Sequence, residues 1–353
     1  MRSRRENRRL ALAGLLAFTP LAVGCGGADA RDTKSGSPTQ TLTLGAYTTP
    51  REVFGKELLP AFARIWRASG KKELAFEESY LGSGAQARAI LGGFEADIAA
   101  LSLEPDIEQI AAKGLITHDW RDTPFRGIVT NSVVVIGVRQ GNPKRILRWE
   151  DLTRDGIAVL TPSPKTSGGA MWNVAALYGA AFLGHIDRPK GDSAAALAFV
   201  RDVLRNVTIM DKGARESMLT FEQGAGDAVI SYENEVLAAR AAGQKIDYII
   251  PDATLLIESP AVVVDAYADK HGTRALADSF VSFLGGPEAQ RQFAKHGFRP
   301  VDPAVAKEYR DKFPAVARQF TIADLGGWPN VVRQLFAPGA VFDRASARTA
   351  SAP

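Results

Sequence analysis

A single cysteine, Cys25, stands in 353 residues, so no intrachain disulfide can form. Histidine is nearly as scarce. His118, His185, His271 and His296 are scattered, none shows H-E-x-x-H or other metal-ligand spacing, and no metal site is expected. There is no run of about eighteen uninterrupted apolar residues, which argues against a spanning helix. "GSGAQAR" (82–88) lacks the Lys-Ser/Thr of a nucleotide-binding loop, and its "GSG" is too short for a nucleophile elbow. No catalytic constellation stands out. Glu233 and Glu235 of "YENE" could act as acid and base, but read better as helix-surface or lobe-edge charges. Internal repeats are also lacking.

What is present begins with a basic head, an apolar run from Leu10 to Phe18 and then small residues, the pattern of a secretory signal. It ends in "LAVGC". Cleavage before Cys25 and lipid attachment to its thiol is the expected processing, and would give an exported protein anchored to a bacterial membrane, in the periplasm or at the cell surface. The cleaved leader carries five of the 43 basic residues and one of the 39 acidic ones. The remainder has 38 of each and a formal net charge of zero. A nucleic-acid surface is therefore not expected. "GGADARDTKSGSPTQ" after Cys25 reads as a flexible tether, and "SARTASAP" as a loose tail.

Between these ends, strands alternate with helices. "TLTLGAY", "ELAFEESY", "DIAALS", "NSVVVIGVR", "IAVLTP", "AVISYE", "IDYIIP" and "AVVVDA" read as strands. Helices are predicted from about 50 to 69, 85 to 94 and over "EPDIEQIAAKG", closed by Gly114. Such alternation implies an α/β fold with mainly parallel sheets, and the length implies two lobes.

Three strand-to-helix junctions share one composition. In "AYTTPREVF", Thr48 or Thr49 can cap and Pro50 suits the first helical position. In "YLGSGAQARAIL", Ser83 stands between glycines. In "LTPSPKTSGGAMWN", Ser167, Gly168 and Gly169 open a helix. Ligands of parallel α/β sheets bind at such carboxyl ends of strands, where helix N-termini offer unpaired N–H donors and a positive dipole. Capping alone accounts for any one of these junctions. Three together point to an anion held by bare backbone.

"SYLGSGAQARAI", "GNPKRILRWEDL", "TPSPKTSGGAMWN", "DKGARESMLTFEQGAGDAVISYENE", "GFRPVD" and "LGGWPNVVRQLFAPGAVFD" stand in the order and spacing of one family. From about Leu42 to Asp343 the chain resembles the periplasmic sulfate/thiosulfate-binding proteins of ABC importers. The resemblance implies a two-lobed clamp of type II, with two crossover connections and the oxyanion in the cleft. The implied organisation is a signal over 1–24, a tether over 25–40, lobe I over 41–130, lobe II over 131–259, a return to lobe I with C-terminal helices over 260–343, and a tail over 344–353. The family holds sulfate through uncharged donors. Carried over, Ser83 would donate from the first lobe, Ser167 through its hydroxyl, and Gly168, Gly169 and Ala214 through backbone N–H. Thr48 replaces the family's Asp, which contributes its N–H, and Tyr232 replaces a Trp that donates an indole N–H. "TFEQGAGD" is one residue shorter than the family's loop.

The expected function is thus capture of sulfate, with thiosulfate the next candidate, for an inner-membrane permease, by a monomer without cofactor. The alternatives are another tetrahedral oxyanion (molybdate, tungstate or phosphate), an ester hydrolase using Ser167, and a scaffold that binds nothing.

Overall fold

A computed structural model describes residues 39–347. The leader, Cys25 and nearly all of the expected tether lie outside the described residues, as does the chain from 348 on. Ten strands form one continuous, curled path: β1 (Gln40–Tyr47), β2 (Leu74–Leu81), β3 (Ile98–Ala100), β4 (Ile128–Arg139), β5 (Val159–Pro162), β6 (Val207–Asp211), β7 (Ala228–Tyr232), β8 (Ile246–Ile249), β9 (Ala253–Val263) and β10 (Arg318–Phe320). The order is β2-β1-β3-β9-β4-β7-β5-β6, with β8 on β4 and β10 on β9.

Two long strands join the halves of a two-lobed α/β clamp. In the first lobe, β1 pairs in parallel with β2 and β3, and β3 meets the end of β9 (Ala100↔Ala261). In the second, β7, β5 and β6 run parallel beside the later half of β4 (Val134↔Tyr232). Between the lobes β4 and β9 pair with each other, Asn131 opposite Glu258. Every antiparallel pairing involves one of these two strands, because each carries the chain from one lobe to the other.

Both faces of each lobe are covered, so strands are apolar on both sides. Val134, Ile136 and Val138 of β4 enter one core cluster, and Val133 and Val135 the opposite one, as the two-residue period requires. In β3, Ile98 and Ala100 face the helices packed on β1, while Ala99 faces Ile90 and Ile107. Gly114, at φ 73°, turns the chain after the helix Glu104–Ala112. The strands β6 and β10 and the first part of β9 have no counterpart among the predicted elements. β6, "VTIMD", has one neighbour and exposes Ile209 and Met210, so it lacks the apolar run that marks a buried strand.

After β9, helices at Asp265–His271, Arg274–Gly285 and Pro287–Lys295 pack on the first lobe. The chain then crosses again. Arg299 exchanges backbone hydrogen bonds with Asn131 (2.8 and 2.9 Å), β10 pairs with Ala253–Leu255, and Trp328, Leu335, Phe342 and Ala345 pack into the core of the second lobe. The last helix, Val341–Ser346, extends the fold past residue 343.

Candidate functional site

At the carboxyl ends of β1, β2, β5, β6 and β7 the chain passes, directly or through a short loop, into a helix, at Arg51, Ser83, Gly168, Ala214 and Glu233. Because the strands of each lobe run parallel, these helix starts fall on one edge of each lobe and face each other. They enclose a small cavity lined by Tyr47, Thr48 and Thr49, by Gly82, Ser83 and Ser102, by Ser167–Gly169, and by Gly213, Ala214 and Tyr232. Its volume is about 10 Å³. Sites for drug-sized ligands have roughly 300–1,000 Å³, so only a compact ligand suits this one.

The structure brings together all seven positions singled out for ligand contact: Thr48, Ser83, Ser167, Gly168, Gly169, Ala214 and Tyr232. As at any helix start, the opening N–H groups of these helices have no partner within the helix. The first backbone bond of the helix Ser83–Leu91 is Gln86 N–H to Gly82 O (2.8 Å), and that of Ala214–Glu222 is Ser217 N–H to Gly213 O (3.1 Å). The N–H groups of Ser83, Gly168, Gly169 and Ala214 therefore precede any helical bond and remain available at the cavity. Helix position is set from behind. Buried Asn173 donates to Thr161 Oγ1 (3.0 Å) and Ile230 O (2.8 Å), pinning the Gly168–Phe182 helix to β5 and β7.

Glycine is required by close approach across the cleft. A Cβ on Gly168 would stand 2.8 Å from Ser102 Oγ, and one on Gly82 would stand 2.5 Å from the Thr166 carbonyl oxygen. Within the second lobe, a Cβ on Gly169 would meet Tyr232 Cε2 at 2.8 Å. The helix starts of the two lobes can meet only where the side chains of Gly82 and Gly168 are missing.

The hydroxyls are partly committed. Ser167 Oγ accepts from Ala170 N–H at a long 3.4 Å, so it caps its helix and still keeps its hydrogen. Ser83 Oγ donates to Asp106 (2.5 Å) and accepts from Ser102 N–H (2.9 Å), which leaves its backbone N–H as the group facing the cavity. Tyr232 Oη lies 2.7 Å from Ser102 Oγ, and Trp172 Nε1 donates to Ser102 Oγ and O, both at 3.1 Å. Burial raises the Tyr232 phenol well above its ordinary pKa, and Tyr47 to about 12. Both are neutral donors at physiological pH, and no other lining residue is ionisable.

Two buried carboxylates stand behind the lining. Burial raises Asp106 to about 6, partly opposed by the Ser83 hydrogen bond and by Arg88. Glu235, fully buried, is raised to about 7 by burial, against the pull of Arg215. Arg215 Nε is 3.2 Å from Glu235 Oε2, an ion pair without a directed hydrogen bond, and Arg215 Nη2 lies 4.0 Å from Glu52 Oε2 of the other lobe. Glu233 is buried too, gripped by Arg299 through two bonds of 2.6 and 3.0 Å. The expectation of helix-surface or lobe-edge charges at Glu233 and Glu235 is thus corrected, because their helix packs its first turn inward between the lobes.

Sequence reasoning missed Ser102, Asp106 and Trp172. A signal existed for the first two: "ALSLEPD" is also a buried strand running into Ser and a helix start. Trp172 reads as core, which it is by burial. Among the described residues, no group of three His, Cys, Asp or Glu could hold a metal ion, and no helix is long and apolar enough to cross a membrane.

Comparison with known proteins gives the family. The family of bacterial extracellular solute-binding proteins matches residues 42–299. The chain is 42% identical over 336 residues to the sulfate-binding protein of Synechococcus elongatus, covering 94% of each. To the thiosulfate-binding protein of Escherichia coli it is 34% identical, over 86% of this chain and 90% of that one. Among solved structures, the sulfate-binding protein SubI of Mycobacterium tuberculosis superposes with a TM-score of 0.77 at 39% identity, over 84% of this chain and 99% of the other.

Proposed function

We propose that this chain, which belongs to the bacterial extracellular solute-binding protein family, captures sulfate for an ABC importer, with thiosulfate as a second ligand. The observation that carries the reading is the all-donor cavity: helix-start N–H groups and hydroxyls from both lobes, with no charged side chain in its lining. Sulfate at neutral pH has only acceptors, and such a lining matches it. Gly168, Gly169 and Ala214 donate backbone N–H, as do Thr48 and Ser83. Ser167 and Tyr232 donate hydroxyls. Each such bond to a dianion contributes roughly 1.5–3 kcal/mol. Several of them, less dehydration and lobe closure, leave about micromolar binding or tighter. Helix ends and peptide dipoles offset the charge without a bound cation. A protonated oxyanion such as hydrogen phosphate also needs an acceptor. Of the two carboxylates behind the lining, Asp106 is already taken by Ser83 and Glu235 is paired with Arg215.

Ester hydrolysis through Ser167 lacks a base, since the lining holds no histidine. The protein acts as a monomer in the periplasm or at the cell surface. A lipid on Cys25 anchors it to the membrane, and the closed lobes are presented to the permease. A thermal-shift panel tests the ligand. Sulfate at one hundred times its dissociation constant adds about 2.7 kcal/mol, or roughly 5 °C. If sulfate leaves the melting temperature unchanged while molybdate or phosphate raises it, the assignment is wrong.

A further inference from the structure

Ser102 ends the loop after β3 in the first lobe and is buried. Its side chain nevertheless bonds to the second lobe. Trp172 Nε1 lies 3.1 Å from its Oγ, and Tyr232 Oη lies 2.7 Å away. Its own N–H is held by Ser83 Oγ at 2.9 Å, so its position is fixed from the first lobe. An indole N–H can only donate, and it takes one lone pair of Ser102 Oγ. Two hydroxyl hydrogens then remain on Ser102 and Tyr232. One bridges the pair, and the other has no acceptor among the described residues, while both residues line the cavity. The phenol is the stronger acid of the two, with a reference pKa near 10, and so the better donor to a dianion.

We propose that Ser102 is a positioning residue for anion binding: it accepts from Trp172, donates across the cleft to Tyr232, and so commits the phenolic hydrogen to the bound anion. The inference rests on the sulfate-binding reading above. It gives closure a chemical consequence, because the Tyr232 donor is fully oriented only when Ser102 of the opposite lobe arrives. The missing Cβ of Gly168 is what lets Ser102 arrive, since that atom would stand 2.8 Å from Ser102 Oγ.

The test is a double-mutant cycle on the full chain, Ser102→Ala, Tyr232→Phe and the pair, read by calorimetric titration with sulfate and by urea melts without it. Each single variant is expected to lose about tenfold in affinity or more. The pair should bind within about twofold of Tyr232→Phe, because without the phenol Ser102 has nothing to orient. Any coupling in the stability of the sulfate-free protein should be smaller than the coupling in affinity, because the Ser102–Tyr232 contact forms only when the lobes close. Should Ser102→Ala fold poorly, Ser102→Cys, of similar size and a weaker donor, takes its place in the cycle. The proposal is overturned if the Ser102 substitution costs as much affinity without the phenol as with it, or costs none. Either result with a parent that binds sulfate removes this inference alone. A parent that ignores sulfate removes the binding assignment as well.

Discussion

In the proposed sulfate site, Gly168 would make a single missing atom a determinant of binding. It stands at the first position of a helix, where alanine is otherwise acceptable. Its Cβ would meet Ser102 Oγ at 2.8 Å and Leu103 Cγ at 3.1 Å, both on the other lobe. The clash exists only when the lobes are together. Gly168→Ala should therefore leave the urea midpoint of the sulfate-free protein nearly unchanged, while sulfate affinity falls by more than about tenfold. Equal affinity in the variant would mean that the lobes do not close to this distance around the ligand. Ser167 is the contrasting case. Its cap bond at 3.4 Å is long, so capping gives only part of the reason for a serine there.

At the scale of elements, the site depends on a segment far from it in sequence. The C-terminal "LGGWPN" turns on Gly326 and Gly327, at φ 84° and 82°, conformations that suit glycine. Asn330 Nδ2 closes the turn onto Leu325 O at 2.8 Å. The turn delivers Trp328, whose ring meets that of Trp172 edge-on at 4.8 Å and 73°. Trp172 in turn donates to Ser102. Trp328→Ala should remove about 3–5 kcal/mol of stability through the cavity it leaves. Sulfate affinity should fall several-fold as well, since the Trp172 indole loses its support. Urea melts and calorimetric titration check the two parts. A stability loss with unchanged affinity would confine the C-terminal segment to a packing role.

For the whole molecule, the buried carboxylates behind the site set a pH dependence. Glu235 is raised to about 7 and Asp106 to about 6, above unfolded values near 4. Between pH 4 and 7 the folded protein thus holds more protons than the unfolded chain. This contribution to stability is greatest below about pH 4, declines as pH rises through 7, and is flat above. Asp265, lowered to about 2 by Thr117 and His118 hydrogen bonds that outweigh its burial, acts only at lower pH. Glu235→Gln should therefore gain stability relative to the parent between pH 5 and pH 8, on the order of 2–3 kcal/mol. Parallel stability curves for the two proteins would mean that Glu235 is ionised with an ordinary pKa.

Much of this was legible in the chain itself. Local composition dictates where strands run into helices at Thr48, Ser83 and Ser167, because capping, glycine freedom and apolar period act over a few residues. The all-donor character of the site follows from that composition. What local rules cannot decide is which groups meet across a cleft. Ser102 and Tyr232 are 130 residues apart and become partners only because β4 and β9 hold two sheets edge to edge. Burial of Glu235 has the same origin. Its sequence is that of an exposed helix start, and only the packing of that helix between the lobes withdraws the carboxylate from water and raises its pKa.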